Sequence, residues 1–375
     1  MRIRVYPSSR CYQSLFDLLL APFMSTKKFH EFFNKWLNNK PYLCTYRARN
    51  AIYHVIRYLK RNFHVSRVVV PSYICKDVIT PIKMAGLDVV FADNNLKTLG
   101  IDFNSIYLKP NDVIIYPNLF GLKSAIPKNI DRKKVFIIED NASSFLQPSS
   151  YADFTIYSFG KGKEVSSSEG GLIVVNKKKF ENFLEETKLS SPDIKFEILR
   201  YFDYILWRLK TYRIIYLLGK KLKFRITATK KNTLTTNEFD GKNLSMCKIS
   251  KNIAAQQLKK INKLQSESKE LVKIFTNELN DLSILEPPES SNFFCLNLFV
   301  EKRDSLKVFL EKKQIYTSVY WDYLIEKPLN KNKPKKFSYI LKHILQILID
   351  PICMKNDDIL YITNQIKEWQ IEQNI

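Results

Sequence analysis

Between residues 47 and 175 short apolar runs alternate with stretches of helical spacing, and this alternation constrains the fold more than any other feature. Arg47 to Arg61 places Ile52, Val55, Ile56 and Leu59 on one helical face. Val68-Val69-Val70 then forms a short apolar run ending at Pro71. Further runs follow at Val89–Phe91, Val113–Tyr116, Val135–Ile138, Phe154–Tyr157 and Leu172–Val175. Runs this short and this continuous suit strands buried on both faces. A mostly parallel sheet with helices on each side is therefore expected, an α/β architecture. Ligands of such sheets bind beyond the carboxyl ends of the strands. The positions to inspect are then Pro71-Ser72-Tyr73, Asn118, Asp140 and the loop from Ser158 to Gly171.

The pattern changes after residue 176. Ile194, Ile198, Phe202, Ile205, Leu206 and Leu209 recur at helical spacing, with Lys195, Arg200, Arg208 and Lys210 among them. The basic amphipathic segment spans 193–225 and runs on through Lys220, Lys221 and Lys223. Such a face packs on the large lobe or a partner subunit, or lies in an anionic membrane surface. Ser250 to Asn280 has the spacing of one long helix, and Phe293 to Ile375 mixes strand and helix patterns. The expected division is a large domain over 1–245 and a smaller one over 246–375.

Charge and reactive residues narrow the chemistry. The 60 Lys and Arg against 37 Asp and Glu leave a net charge of +23, which favours anionic partners or reflects a compositional bias of the surface. No nucleic-acid motif accompanies the charge, so only non-specific contact with nucleic acid is supported. The six cysteines are scattered, as expected of free thiols in a reducing compartment, and the four histidines form no metal pattern. The apolar run from Leu15 to Met24 is interrupted by Asp17 and Pro22. It is too short for a membrane span, which needs about 20 apolar residues, and it is poorly formed as a signal peptide. A cytoplasmic location is expected.

Four of the nine glycines fall between Gly160 and Gly171, inside Ser158-Phe159-Gly160-Lys161-Gly162-Lys163 and Glu169-Gly170-Gly171. Backbone freedom beside lysine and serine makes an anion-binding setting. Alone, the segment also fits a basic surface loop. Asp140 ends an apolar strand in Ile137-Ile138-Glu139-Asp140-Asn141-Ala142. A carboxylate placed there needs a partner, whether a strand-end cap, a salt bridge or a protonated ligand nitrogen.

Taken in order, these segments resemble the DegT/StrS family of sugar aminotransferases. Glu139-Asp140-Asn141-Ala142-Ser143, Ala152-Asp153, Ser158 to Lys163 and Glu169-Gly170-Gly171 are similar to that family's EDAAQ, GD, SFxxxK and GDGG. Val69 to Tyr73, Ala85-Gly86 with Val89 to Asp93, Tyr116 to Gly121, Ala254 to Leu258 and Ile344 to Pro351 resemble other family segments. Coverage runs from about residue 45 to 370. Each motif is weak alone; their order is specific.

The resemblance implies a type I fold for pyridoxal 5'-phosphate (PLP) enzymes, a homodimer with shared active sites, and amino transfer from an amino-acid donor such as glutamate to a keto sugar on a nucleotide. Lys163 matches the lysine that forms the Schiff base to PLP and serves catalysis. Asp140 matches the partner of the pyridine nitrogen, and Ser158 a phosphate-binding serine. Ala48 and Arg49 match the phosphate turn before the first helix, and Ser143 stands at the last position of the EDAAQ motif. Tyr73 or Cys75 matches the residue stacked on the cofactor ring. No metal is implied. Ala48, Asn118, Ser143 and Met246 depart from the family residues, which leaves the substrate open. Some dehydratases of the family carry histidine at the position of Lys163, so Lys163 speaks against that version of dehydration. A relic member that binds a membrane surface or polyanion is the remaining alternative.

Overall fold

The computed structural model describes residues 4–8, 13–221, 243–285, 295–321 and 334–373. Seven strands form the large sheet: β1 (Tyr42–Thr45), β2 (Arg67–Pro71), β3 (Asp88–Ala92), β4 (Val113–Pro117), β5 (Phe136–Asn141), β6 (Phe154–Ser158) and β7 (Gly171–Val175). Their order is β1-β7-β6-β5-β4-β2-β3. β3, β2, β4, β5 and β6 are parallel, and β7 pairs antiparallel with both β6 and β1. Every apolar run of the large sheet expected to be a strand is one, within a residue at either end except that β5 runs three residues further, to Asn141. β1 carries too weak a pattern to stand out: only its last two residues are buried, and it lies at the sheet edge.

The helices of the large lobe are α1 (Leu15–Leu20), α2 (Lys27–Trp36), α3 (Ala48–Phe63), α4 (Lys76–Met84), α5 (Phe183–Glu186), α6 (Ile194–Lys210), α7 (Arg213–Lys221) and α8 (Lys248–Leu258). α3 turns Ala51, Ile52, Val55, Ile56 and Leu59 into one core with β2, β4, β5 and β6. On the other face of the sheet, Phe29 and Phe33 of α2 and Ala254, Ala255 and Leu258 of α8 pack with Tyr157, Leu172 and Val174. This covering of both faces is why the strands are apolar throughout.

The smaller lobe contains α9 (Ile261–Glu278), α10 (Arg303–Lys312), α11 (Lys335–His343) and α12 (Asn356–Glu372). Its sheet, in the order β10-β9-β8, comprises β8 (Ser283–Leu285), β9 (Cys295–Phe299) and β10 (Ile344–Leu348). The single long helix expected over 250–280 is two helices, broken at Lys259-Lys260. The break lets α8 serve the large-lobe core while Leu271, Val272 and Phe275 of α9 serve the small one. Tyr6 joins the small-lobe core from the other end of the chain, and its hydroxyl donates to Asp358 Oδ1 at 2.7 Å. The cores thus divide the chain differently from a cut after residue 245.

α6 is oriented against its apolar pattern. It buries Glu197, Tyr201 and Tyr204, and exposes Ile194, Ile198, Leu199, Phe202 and Leu206. The polar atoms of the buried stripe are all used. Glu197 accepts from the backbone N–H of Lys248 at 2.9 Å and so caps α8, Tyr201 donates to Leu18 O, and Tyr204 donates to Gln13 Oε1. On this chain Ile205 packs beside Tyr201 and Ile253, but most of the apolar face of α6 is not packed on the large lobe. Residues 222–225 of the basic segment lie outside the described residues.

Candidate functional site

Asp140, Ser158, Lys163, Ala48, Arg49 and Ser143, far apart in sequence, line one cavity of about 290 Å³. It opens at the carboxyl edge of the parallel strands, where β5 delivers Asp140 and β6 delivers Ser158. Because β7 runs backwards, its first residue Gly171 also lies at this edge, beside Thr45 at the end of β1. The loop between β6 and β7 is thereby held over the site at both ends. A Cβ on Gly171 would stand 2.6 Å from the backbone of Arg47, so the lysine loop and the turn into α3 touch directly. Gly162, just before Lys163, has φ +76°, a conformation that glycine adopts without the cost another residue meets.

Two lysines in this loop have different surroundings. Lys161 also lines the cavity, but its ammonium is paired with Asp203 of α6 at 2.6 Å. Among the described residues the side-chain amine of Lys163 has no hydrogen-bond or ion-pair partner, while its charge acts on both Asp140 and Cys75. Asp140 is buried and accepts one backbone hydrogen bond, from Ala142 at 2.9 Å. Burial raises its pKa above its ordinary value, and Lys163 works against that shift. Burial also pushes the Cys75 thiol up to about 12, keeping it neutral.

The other end of the cavity is the start of α3. Arg47 is its N-cap residue without a side-chain cap, and Asn50 and Ala51 are the first to donate back, both to Arg47 O. The N–H groups of Ala48 and Arg49 have no acceptor among the described residues. A helix start with free N–H groups attracts anions. Arg49 lies 3.6 Å from Asp77, and Ser158 Oγ accepts a long bond from Gly160 N at 3.4 Å.

One expected residue is corrected. Tyr73 does not line the cavity; its ring packs on Trp321 at 4.9 Å, its hydroxyl donates to Tyr320 O, and Gln346 donates to that hydroxyl. The chain leaving β2 follows an irregular turn, which sends Tyr73 to the small lobe while its alternative, Cys75, lines the cavity. Met246 is also buried, and a Cβ on Gly170 would stand 2.7 Å from its Cε. Asn118 sits behind the site, bonded to Glu139, Asn141 and Ser124. Further lining residues complete the cavity. Glu169 makes a bidentate pair with Arg47, at 2.8 and 2.7 Å, tying the lysine loop to α3. Asp77 faces Arg49, and Trp321 closes the small-lobe side in a left-handed backbone conformation, φ +60°. The acidic residue before the two glycines was a usable signal for Glu169; nothing local marks Trp321.

A larger open depression of about 760 Å³ lies at the outer side of α3, lined by residues such as His54, Arg57 and Lys60. It gathers none of the expected site residues. No metal-binding cluster of His, Cys, Asp and Glu occurs among the described residues. Cys44, Cys75, Cys247, Cys295 and Cys353 are free thiols, and Cys11 lies outside the described residues.

The fold and cavity define a class: a large α/β lobe with a smaller C-terminal lobe, as in PLP-dependent aminotransferases. The chain belongs to the DegT/DnrJ/EryC1/StrS aminotransferase family, whose model matches residues 20–346. Among curated proteins it is similar to GDP-4-keto-6-deoxy-D-mannose 3-dehydratase of Yersinia pseudotuberculosis, 29% identical over 121 residues, 29% of this chain and 31% of that protein. The chain thus matches about a third of the length of that relative. Among solved structures, a GDP-4-keto-6-deoxymannose-3-dehydratase with a trapped PLP-glutamate geminal diamine has a TM-score of 0.70 at 18% identity, covering 96% of this chain and 99% of that one. Sugar aminotransferase CalS13 of Micromonospora echinospora has a TM-score of 0.68 at 14% identity, covering 96% and 99%. At these identities the likeness shows the fold. Among the described residues no helix is long and apolar enough to cross a membrane.

Proposed function

We propose that this protein is a PLP-dependent aminotransferase that moves an amino group, with glutamate as donor, to a keto sugar carried on a nucleotide. The observation that carries the reading is the contrast between the two loop lysines: Lys161 is bound to Asp203, and Lys163 is left without a partner in the cavity that contains Asp140. The cavity suits PLP at both ends. Asp140 is a buried carboxylate with a single backbone donor, a place for a protonated ring nitrogen. The free N–H groups of Ala48 and Arg49, the Arg49 side chain and Ser158 suit a phosphate. PLP, when bound, supplies an electron sink for the carbon that loses its proton.

The roles of the protein groups follow. Asp140 would hold the ring nitrogen of PLP in its protonated form. Lys163 would hold the cofactor covalently, and its amine is the group placed to move a proton at the substrate carbon. Arg47 and Glu169 fix the lysine loop against the phosphate turn. Trp321 and Cys75 supply uncharged walls that limit water. The amino donor and the nucleotide are supported by similar proteins that act on a GDP sugar or hold glutamate.

The test is the visible spectrum of the purified protein with PLP, before and after borohydride, followed by peptide mapping. Cofactor trapped on Lys163, absent in Lys163→Ala and kept in Lys161→Ala, is the expected result. Trapping on Lys161, or none in a folded, PLP-saturated protein, overturns the reading. The similarity to a dehydratase favours one second reading, loss of a sugar hydroxyl on the same scaffold. With glutamate and keto-sugar nucleotides, a product whose keto oxygen has been replaced by an amino group supports transfer, and one that has lost a hydroxyl without gaining nitrogen supports dehydration.

A further inference from the structure

We infer that the outer face of α1, the turn after it and α6 is a docking surface for an anionic lipid bilayer. Both helices pack on α8. Leu18 and Ala21 join Tyr201, Tyr204 and Ile253 in one cluster, and Asn252 donates to Ala21 O and Met24 O. Their outer sides consequently face away from α8 together. On that side stand Phe16, Leu19 and Phe23, with 68%, 61% and 87% of their surface exposed, and Ile198, Phe202 and Leu206, with 43%, 57% and 58% exposed. α7 continues the exposed apolar surface with Ile214 and Leu218. Single exposed apolar residues are ordinary, but clustered side chains of this size on neighbouring helices mark an interaction surface.

Charge selects the occupant. Ile194, Ile198, Phe202 and Leu206 are spaced by four residues and form one arc of α6, on which Lys195 and Lys210 also fall, one near each end. Both lysines are exposed. The carboxylates of α6 and its cap are turned elsewhere: Asp193 caps the helix through Phe196 N, Glu197 is buried on α8, and Asp203 holds Lys161. Lys28, near Phe23, is exposed as well. A second copy meeting this face about a two-fold axis would set lysines near lysines, with these carboxylates already committed. Anionic headgroups complement the same lysines while the bilayer boundary accepts the Phe, Ile and Leu side chains. α6 also reaches the lysine loop, through Asp203 to Lys161 and Tyr204 to Ser166, so docking would seat the active site beside the membrane. The inference does not depend on which reaction the site performs.

The full-length protein is mixed with vesicles of equal parts phosphatidylcholine and phosphatidylglycerol, and with phosphatidylcholine alone, and sedimented. Binding to the anionic vesicles alone is expected, weakened when 1 M salt shortens the screening length to about 3 Å. The double variant F202E/L206E should bind about tenfold more weakly or worse. K195E/K210E, which leaves the apolar residues in place, should also weaken binding and provides the test should the first variant not fold. Sedimentation velocity is measured alongside. No binding to anionic vesicles, equal binding to neutral ones, or a wild-type dimer that F202E/L206E converts to monomer overturns the inference; the last assigns the face to a second copy.

Discussion

Glu139 and Asp140 are neighbours on one strand, both buried carboxylates, yet they face opposite sides of the sheet and have different surroundings. Glu139 accepts three hydrogen bonds, from Asn118 Nδ2 at 3.1 Å, Ser149 N at 2.9 Å and Thr155 Oγ1 at 3.0 Å. Asp140 accepts one, from Ala142 N, and faces a cavity. Burial raises both pKa values, but only for Glu139 do side-chain donors offset it. A saturated carboxylate fastens β4, β5 and β6 to their loops. An under-satisfied one at a cavity wall is a place for a ligand that brings its own positive charge.

Exchanging the fates of the two residues tests this contrast. Asp140→Asn is nearly isosteric and removes the charge. We expect amino transfer to fall by about 100-fold or more, the scale of losing one electrostatic contact in a site, with only a small, pH-dependent change in unfolding midpoint. Glu139→Ala leaves three donors without an acceptor and should lower stability by about 3 kcal/mol or more. Its protein that still folds should keep the cofactor spectrum. Urea unfolding and steady-state rates on both variants decide the matter; if Glu139→Ala loses activity at unchanged stability, the division of roles is wrong.

The next effect concerns the loop on the cavity side. Gly171→Ala forces a Cβ within 2.6 Å of Arg47 backbone and 2.5 Å of Thr45 Oγ1. Backbone cannot move aside as a side-chain tip can, so a loss of about 1–3 kcal/mol is expected. The shift should also pull Arg47 from Glu169 and loosen the phosphate turn, seen as weaker PLP binding by fluorescence titration. Unchanged PLP affinity in the destabilised variant would separate the two ends of the cavity.

Much of this was legible in the sequence. The buried strands were, because a strand covered on both faces is apolar at every position, as Val113 to Tyr116 is. Lys163, Asp140, Ser158 and the turn at Ala48 could be located because motif order carries them to the same sheet edge. Side-chain direction was not legible. Tyr73 and Cys75 are two residues apart in an irregular turn, and only its exact path sends one to the small lobe and the other to the cavity. α6 misled the apolar pattern for another reason. Its buried stripe is held by hydrogen bonds of Tyr201, Tyr204 and Glu197, which periodicity in hydrophobicity does not register. Trp321 arrives from the small lobe and has no local signature.

The smallest effect, and the one that isolates Asp140, is on the pH dependence of stability without cofactor. Burial holds the folded-state pKa of Asp140 above its unfolded value, so the folded protein binds this proton more tightly. Its contribution is intact below the ordinary carboxylate range and is lost as pH rises through the raised value. Asn at this position does not ionise. Relative to wild type, Asp140→Asn should therefore gain stability as pH climbs from the carboxylate range toward neutrality, measured as the difference between urea midpoints. Parallel profiles would mean that Asp140 titrates normally and that its cavity is wetter than its burial implies. Saturating PLP at neutral pH should reverse the order, because Asp140 then gains a cationic partner that Asn cannot hold. Glu139, on the far side of the sheet, adds to the same upward shift through its charge, so its coupling to Asp140 is part of the measured difference.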